Sequence, residues 1–535
     1  MKRIISAVIL ISLLLCGCVQ ASAPTDAVAA IDPRVRTYYE IFVASFYDSD
    51  GDGVGDLKGI EEKLDYLNDK NLNSNGSLHV TGLWLMPIMP SPTYHKYDVT
   101  DYYSVDEEYG SLADFESLCA ACRERGVSVI IDLVLNHTSS EHEWFKSACS
   151  SLRAGECEND GDDCAFSTPC AKHNDYVGYY NFSNVNQGGY TAVSGTNGGW
   201  YYESRFWSGM PDLNLDNPSV RAEIEKIVEF WLEKGADGFR LDAVTSYYTG
   251  SNEGNTEFLA WLTDTAKGIK RDAYLVAETW TDSSTILSLY ESGVDSCFNF
   301  PFSQNDGSII SAVNTQSGSA LAKSIERWNA ALSFENPDAI DAPFLTNHDN
   351  GRSAGALKRD LALEKQAAAV YLLMPGNPFI YYGEEIGMTG SGKDENKRAS
   401  FTWSLSDDTG LTLSPKDADR VETVSAGVAE QLADKNSLLR FYIEVIRVRN
   451  SLPAVVFGEV AALDTGFDTV CAYTSSYGES TVAVVHNLGD EAVEIPSTFE
   501  GYSLYAGLSC GEGKPRLSKE NLYLPPNSTA VLEKR

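Results

Sequence analysis

The sequence predicts an α/β fold: a (β/α)8 barrel with a loop-rich domain inserted after its third strand and an antiparallel β domain at the carboxyl end. Three observations predict it. Short β-branched or aromatic runs alternate with helical patterns through most of the 535 residues. That alternation breaks between Thr138 and Arg205, where loop residues dominate. Beyond Asn450 the helices give way to short strand-like segments.

The elements follow in order. Lys2 and Arg3 precede an apolar run from Ile4 to Leu15, shorter than the ~20 residues a membrane span needs, so residues 1–17 read as an export signal. Leu15-Cys16-Gly17-Cys18 resembles a lipobox, which makes Cys18 the expected lipidation site and residues 18–33 a tether. Ordinary cleavage at Ala21-Ser22-Ala23 is the alternative. Either way the protein is expected to be exported, as a membrane-anchored lipoprotein of the periplasm or cell surface, or secreted.

Barrel strands are expected at Val35 to Val43, Gly82 to Met86, Val127 to Val134, Gly238 to Leu241, Ala273 to Val276, Pro343 to Leu345 and Phe379 to Tyr382. The clearest helix runs from Asn217 to Lys234. Asn217 is its N-cap, Pro218 fills the first turn, where a missing N–H costs nothing, and Gly235 ends it. Ile224, Ile227, Val228, Trp231 and Leu232 form its apolar face. Strand, helix and strand again in close succession imply parallel units, and this many suggest closure into a barrel. The barrel is assigned to 34–137 and 206–452, the insertion to 138–205, and a β-sandwich to 453–535. Thr481 to Val485, Ala492 to Ile495 and Thr529 to Leu532 are strands of the last.

Composition narrows the function. The formal charge of −35 repels phosphate backbones, which argues against nucleic acid as a partner and suits cations and neutral substrates. Contact with a membrane is expected only through lipid at Cys18, and the protein is expected to be a monomer. Eleven cysteines fit an oxidising compartment. Cys149, Cys157, Cys164 and Cys170 crowd one acidic stretch that disulfides could staple, and four cysteines allow three pairings. Cys119 and Cys122 form a C-x-x-C that reads as two small helix residues or a local disulfide rather than a redox motif. No Cys/His spacing suggests zinc.

In a β/α barrel the active site lies where the strands end. Three acids sit there: Asp242 after Gly238-Phe239-Arg240-Leu241, Glu278 after Tyr274-Leu275-Val276-Ala277, and Asp349 after Phe344-Leu345-Thr346-Asn347-His348. Arg240 and Asp242, two apart on a strand, point the same way, and a neighbouring guanidinium favours an ionised carboxylate. Glu278 follows three apolar residues, and partial burial would keep its proton on. Two carboxyls with opposed environments are what glycosidic cleavage requires.

These segments carry a family resemblance. Asp132-Leu133-Val134-Leu135-Asn136-His137, Gly238 to Val244, Val276-Ala277-Glu278-Thr279-Trp280 and Phe344 to Asp349 resemble, in this order, the α-amylase family of glycoside hydrolases. Met210-Pro211-Asp212-Leu213-Asn214, Tyr97-Asp98-Val99-Thr100-Asp101-Tyr102 and Pro378 to Met388 support the match, which runs from about Val35 to the carboxyl end. The resemblance implies Asp242 as nucleophile, Glu278 as acid/base and Asp349 as transition-state stabiliser in retaining hydrolysis of α-glucosidic bonds. It also implies that Tyr97 stacks on the cleaved sugar and that Asp98, His137, Arg240, His348 and Arg352 help to bind it. Tyr179, Tyr180, Trp200, Tyr201 and Tyr202 are further aromatic candidates, each better read singly as core.

A calcium site is expected at Asp48-Ser49-Asp50-Gly51-Asp52-Gly53-Val54-Gly55-Asp56. Carboxylates of Asp48, Asp50, Asp52 and Asp56 and the Val54 carbonyl occupy ligand positions, although Gly59 replaces the closing Glu of an EF-hand. The resemblance implies a second Ca2+ at Asn136 and Asp212, where Ser246 departs from the family's usual His.

The expected substrate is an α-glucan, starch or maltodextrin, and the expected enzyme an endo-acting α-amylase for α-1,4 bonds. Exo-acting relatives typically carry Asp three residues before the stacking tyrosine, where this chain has Tyr94. The Met-Pro-Asp-Leu-Asn block keeps a neopullulanase-like activity open, and an α-glucosidase or glucanotransferase shares the same chemistry. From another class, a non-catalytic surface glycan-binding protein is the alternative, and such relatives generally lack one of the three acids.

Overall fold

Burial on both faces organises the first half of the chain. In the computed structural model, which describes residues 31–159, 164, 169–196, 199–422, 424–496, 498–519 and 521–534, strands β1 (Tyr38–Ile41), β2 (Gly82–Leu85) and β3 (Ser128–Leu133) run parallel, and every residue in them is buried. The export segment, Cys18 and most of the tether lie outside the described residues. The insertion contributes β4 (Phe182–Ser183), β5 (Tyr190–Ala192) and β6 (Tyr201–Glu203), a small antiparallel sheet. The parallel wall resumes with β7 (Gly238–Leu241), β8 (Tyr274–Ala277), β9 (Ser296–Cys297) and β10 (Phe379–Tyr381), in the order β10-β1-β2-β3-β7-β8-β9.

The ring closes through the chain at 342–344. Single parallel bridges, Phe298 to Ala342 and Phe344 to Phe379, join this segment to its two neighbours, so the strand expected at Pro343 to Leu345 exists as bridges rather than as a ladder. Strand β9 was not expected; two residues are too few to show a period. Large rings fill the interior, as a closed parallel barrel requires. Tyr38 stacks on Tyr274 and Phe379 at centroid distances of 5.2 and 4.7 Å. Gly82 makes room for it, since a Cβ there would stand 2.4 Å from the Tyr38 ring.

Helices pack outside. Pro218–Lys234 has the expected ends: the Asn217 side chain accepts from Ser219 N, and Gly235, at φ 116°, ends the helix in the left-handed region. Cys119 and Cys122 lie buried on the inner side of the helix Leu112–Arg123, where burial pushes both thiols up and leaves them unreactive. Cys119, Cys122, Cys149, Cys157, Cys170, Cys297, Cys471 and Cys510 form no disulfide. In the insertion Tyr180 and Tyr202 are core, their rings 5.1 and 4.8 Å from that of Phe145.

The remaining strands are β11 (Glu459–Ala462), β12 (Val470–Tyr477), β13 (Ser480–Asn487), β14 (Val493–Ile495), β15 (Tyr502–Ser509), β16 (Arg516–Ser518), β17 (Asn521–Leu524) and β18 (Ser528–Lys534). They form antiparallel sheets of order β11-β12-β13-β18-β15 and β14-β17-β16, with Val485, Ile495, Leu522, Leu524 and Leu532 buried in a core of their own. The first sheet docks on the barrel helix Gly318–Glu335. Asn329 and Glu326 accept from the β11 amides of Val460 and Ala462, and Ser319 N donates to Asp468 O. At Gly318 a Cβ would stand 2.5 Å from the β12 backbone.

Candidate active site

Three strand ends deliver their acids to one guanidinium. Arg240, on β7 and almost wholly buried, places Nη1 2.9 Å from Asp132 of β3 and 2.6 Å from Asp242, while Nη2 lies 3.1 Å from Glu278 at the end of β8. The side-chain alternation of a strand explains why Arg240 and Asp242 share a side. The chain turns sharply after Asp242. Ala243 adopts φ 51°, uncommon without glycine, and its N–H donates to Glu278 at 2.8 Å.

A second cluster joins the first through hydrogen bonds. Tyr97 donates to Asp132 at 2.9 Å and meets His348 Nε2 at 2.8 Å; the two rings also stack. His348 reaches Glu40 of β1 through Nδ1 at 2.6 Å and Asp349 through Nε2 at 3.1 Å. Arg398 caps the far side, 2.8 Å from Asp349 and 3.2 Å from the Tyr94 hydroxyl. Asp349, Asp242 and Glu278 are thus connected in one network across four strand ends.

The opposed shifts expected for Asp242 and Glu278 are not found: burial raises both carboxyls, and Asp349 is the acid held low. Burial pushes the Asp242 carboxyl up to about 6 against the pull of Arg240, which leaves it ionised at neutral pH. Burial also raises Glu278, and the charges of Asp242 and Asp349 raise it further, favouring its protonated form against Arg240. For Asp349 burial opposes ionisation, but His348 and Arg398 outweigh it and hold the carboxyl well below the usual range. Burial works against the His348 charge, yet Asp349 and Glu40 raise it to about 9, so the ring is cationic at neutral pH. His137, pushed down to about 4 by burial, is neutral and meets the Tyr97 carbonyl at 3.1 Å.

Two of the residues expected to bind sugar make protein contacts. Arg352 donates to the backbone carbonyls of Lys397 and Tyr382 and packs its guanidinium on Tyr381. Asp98 is buried and accepts from the Ser91 and Thr93 hydroxyls, bracing the loop that presents Tyr97. Three network members were missed: Glu40, Asp132 and Arg398. Asp132 stood inside a quoted motif; the other two have no local signal. Half-exposed aromatics also lie near the acids. Phe206 meets the His137 ring edge-on, and Trp280, two residues beyond Glu278, stacks on Phe300 at 5.3 Å.

In the acidic loop three of the four carboxylates converge. Carboxylate oxygens of Asp48, Asp50 and Asp56 lie within 4.8 Å of one another, whereas Asp52 stays outside that group and accepts from Val54 N. Burial disfavours the Asp48 charge, but N–H groups of Gly51 and Gly53 prevail and keep its carboxyl low. Three convergent carboxylates suit a hard cation. At the second expected calcium position Asn136 donates directly to Asp212 at 3.2 Å, and burial with the Glu203 charge raises the Asp212 carboxyl to about 7. Arg205 N also donates to Asp212, and its guanidinium reaches Ser246.

Known proteins place this geometry. The model of the α-amylase catalytic domain matches residues 40–458, and that of the α-amylase SusG C-terminal domain matches 470–531. Alpha-amylase 3 of Dictyoglomus thermophilum is 39% identical over 456 residues, 84% of each chain. The structure of Eubacterium rectale Amy13B superposes with a TM-score of 0.87 at 41% identity, over 94% of this chain and 96% of that one. An α-amylase structure from H. orenii gives 0.83 at 36% identity, over 94% and 100%. The chain belongs to the α-amylase family and is an amylase-like glycosidase.

Proposed function

We propose that the protein is an endo-acting, retaining α-amylase that hydrolyses α-1,4 bonds of starch and maltodextrins. The observation that carries this reading is Arg240 shared between Asp242 and Glu278, 2.6 and 3.1 Å from its two terminal nitrogens. In the first step Asp242 attacks the anomeric carbon while Glu278 protonates the departing glycosidic oxygen. In the second Glu278, now a base, takes a proton from water, whose oxygen displaces Asp242 and restores the α configuration. Asp349 and His348 bind the sugar between them, and Phe206 and Trp280 offer apolar faces to neighbouring rings.

Tyr94 supports internal cleavage: it stands where an exo-acting relative would carry Asp, and it packs against Arg398 through its hydroxyl. Calcium at Asp48, Asp50 and Asp56, with the Val54 carbonyl, belongs to the proposal as a structural ion. So do export, a lipid at Cys18 and a monomeric state. Incubation with soluble starch tests the activity. New reducing ends with a rapid fall in chain length support endo-hydrolysis, glucose released from chain ends supports a glucosidase, new lengths without new ends support transfer, and no change supports a glycan binder.

A further inference from the structure

The insertion gathers a second set of metal-ligating side chains, far in character from the acidic loop. Cys157, Cys164, Cys170 and His173 each offer one donor atom, and these four atoms lie within 4.8 Å of one another. We propose that they form a tetrahedral thiolate–imidazole site for Zn2+, which fastens the end of the helix Glu143–Ala154 to the turn Asp175–Tyr179 within the insertion.

Edge lengths argue for it. With Zn–S about 2.3 Å and Zn–N about 2.0 Å, a regular tetrahedron has S···S edges of about 3.8 Å and S···N edges of about 3.5 Å. Cys157 and Cys170 stand 3.7 Å apart, and His173 Nδ1 lies 3.5 Å from the first sulfur and 3.1 Å from the second. The amide of Cys170 donates to the Cys164 sulfur at 3.4 Å, the kind of outer bond that steadies a metal-bound thiolate. A disulfide would use two of these sulfurs and leave the third and the imidazole outside the link; one soft divalent cation uses all four donors.

The surroundings are suited to the task. Ser151 donates to Pro169 O and Ala171 N donates to Gly155 O, so the end of the helix Glu143–Ala154 already anchors both flanks of the cluster. Between Glu156 and Lys172 the sequence carries five acids and few apolar residues, too little to bury a core of its own. Just beyond His173, Asn174 caps the turn Asp175–Tyr179 and donates to Ser147 and Ser151. A metal there would fix the entry to Tyr179 and Tyr180, the latter bridged to Leu213 beside Asp212. This site is independent of the glycosidase assignment.

The test uses the full chain, purified reduced, loaded with Zn2+ and freed of excess metal. Elemental analysis should find one zinc per chain, lost in Cys157→Ser and Cys170→Ser and kept in Cys149→Ser, whose sulfur lies outside the group. Cobalt(II) in the unaltered chain should show thiolate charge-transfer bands and the intense visible bands of a tetrahedral centre. His173→Cys should keep the metal and shift the spectrum towards four sulfurs, which decides the matter even where a serine variant misfolds. No retained zinc, a weak octahedral cobalt spectrum, zinc that survives loss of both Cys157 and Cys170, or a disulfide among the three cysteines in protein recovered from its own compartment would each overturn the site.

Discussion

Arg240 on β7 and Asp242 just past its end are two residues apart and 2.6 Å apart in space, and the same guanidinium extends its other nitrogen to Glu278. A single buried cation thereby stabilises one carboxylate as an ion and positions the neighbouring carboxyl beside it.

Removing either acid should stop the chemistry without dismantling the site. Asp242→Asn and Glu278→Gln are each expected to lower kcat on starch by on the order of 10³-fold or more. Calorimetric binding of a maltooligosaccharide should be largely retained. Near-normal turnover in either variant would reassign the roles.

Arg240→Ala should do more damage. It would leave three buried carboxyls without their cation, and breaking a buried pair in this way costs about 3–5 kcal/mol. A lowered denaturation midpoint together with lost activity is expected; an inactive variant of unchanged stability would show that the acids do not depend on Arg240.

The pH profile follows from Asp242. Its carboxyl is raised to about 6 and must be ionised to attack, so kcat/KM should fall as pH drops through that value, well above the range of an ordinary aspartate. A profile flat down to pH 4.5 would contradict the buried environment described for Asp242.

Arg398 and Arg352 should separate cleanly. Arg398→Gln removes the partner of Asp349 and is expected to reduce kcat/KM on the order of 10²-fold, as misplacement of a contact group does. Arg352→Gln loses bonds to two carbonyls and should chiefly lower thermal stability. The reverse pattern would place Arg352 at the sugar.

Calcium removal should loosen the fold. A ligand bound only by the native state at 100 times its Kd stabilises by about 2.7 kcal/mol, so excess chelator is expected to lower the melting temperature. Asp48→Asn should abolish that response. An unchanged melting temperature in chelator would count against the acidic loop as a cation site.

What the chain revealed in advance depended on range. Strands of three or more residues rich in apolar side chains, and the helix from Pro218 with its Asn and Gly ends, carry their signals locally. Ser296–Cys297 does not, because two residues held only by neighbours have no pattern of their own. The three acids were legible at strand ends. Glu40 was not, since its meaning is a bond to His348, 308 residues away. Arg398 likewise acquires its role from Asp349 across a loop. The cysteines of the insertion read as disulfide candidates because spacing alone says nothing of a histidine folding back onto two sulfurs.

The docking of the terminal sheet on Gly318–Glu335 has a practical corollary for anyone wishing to shorten this enzyme. That sheet buttresses the barrel wall: it lends backbone amides to Asn329 and Glu326, and its strand runs too near Gly318 for any larger residue. Cutting the chain after Phe457 would therefore bare an apolar flank and strand polar groups, so a minimal catalyst carved from this protein must keep its tail or have that helix redesigned.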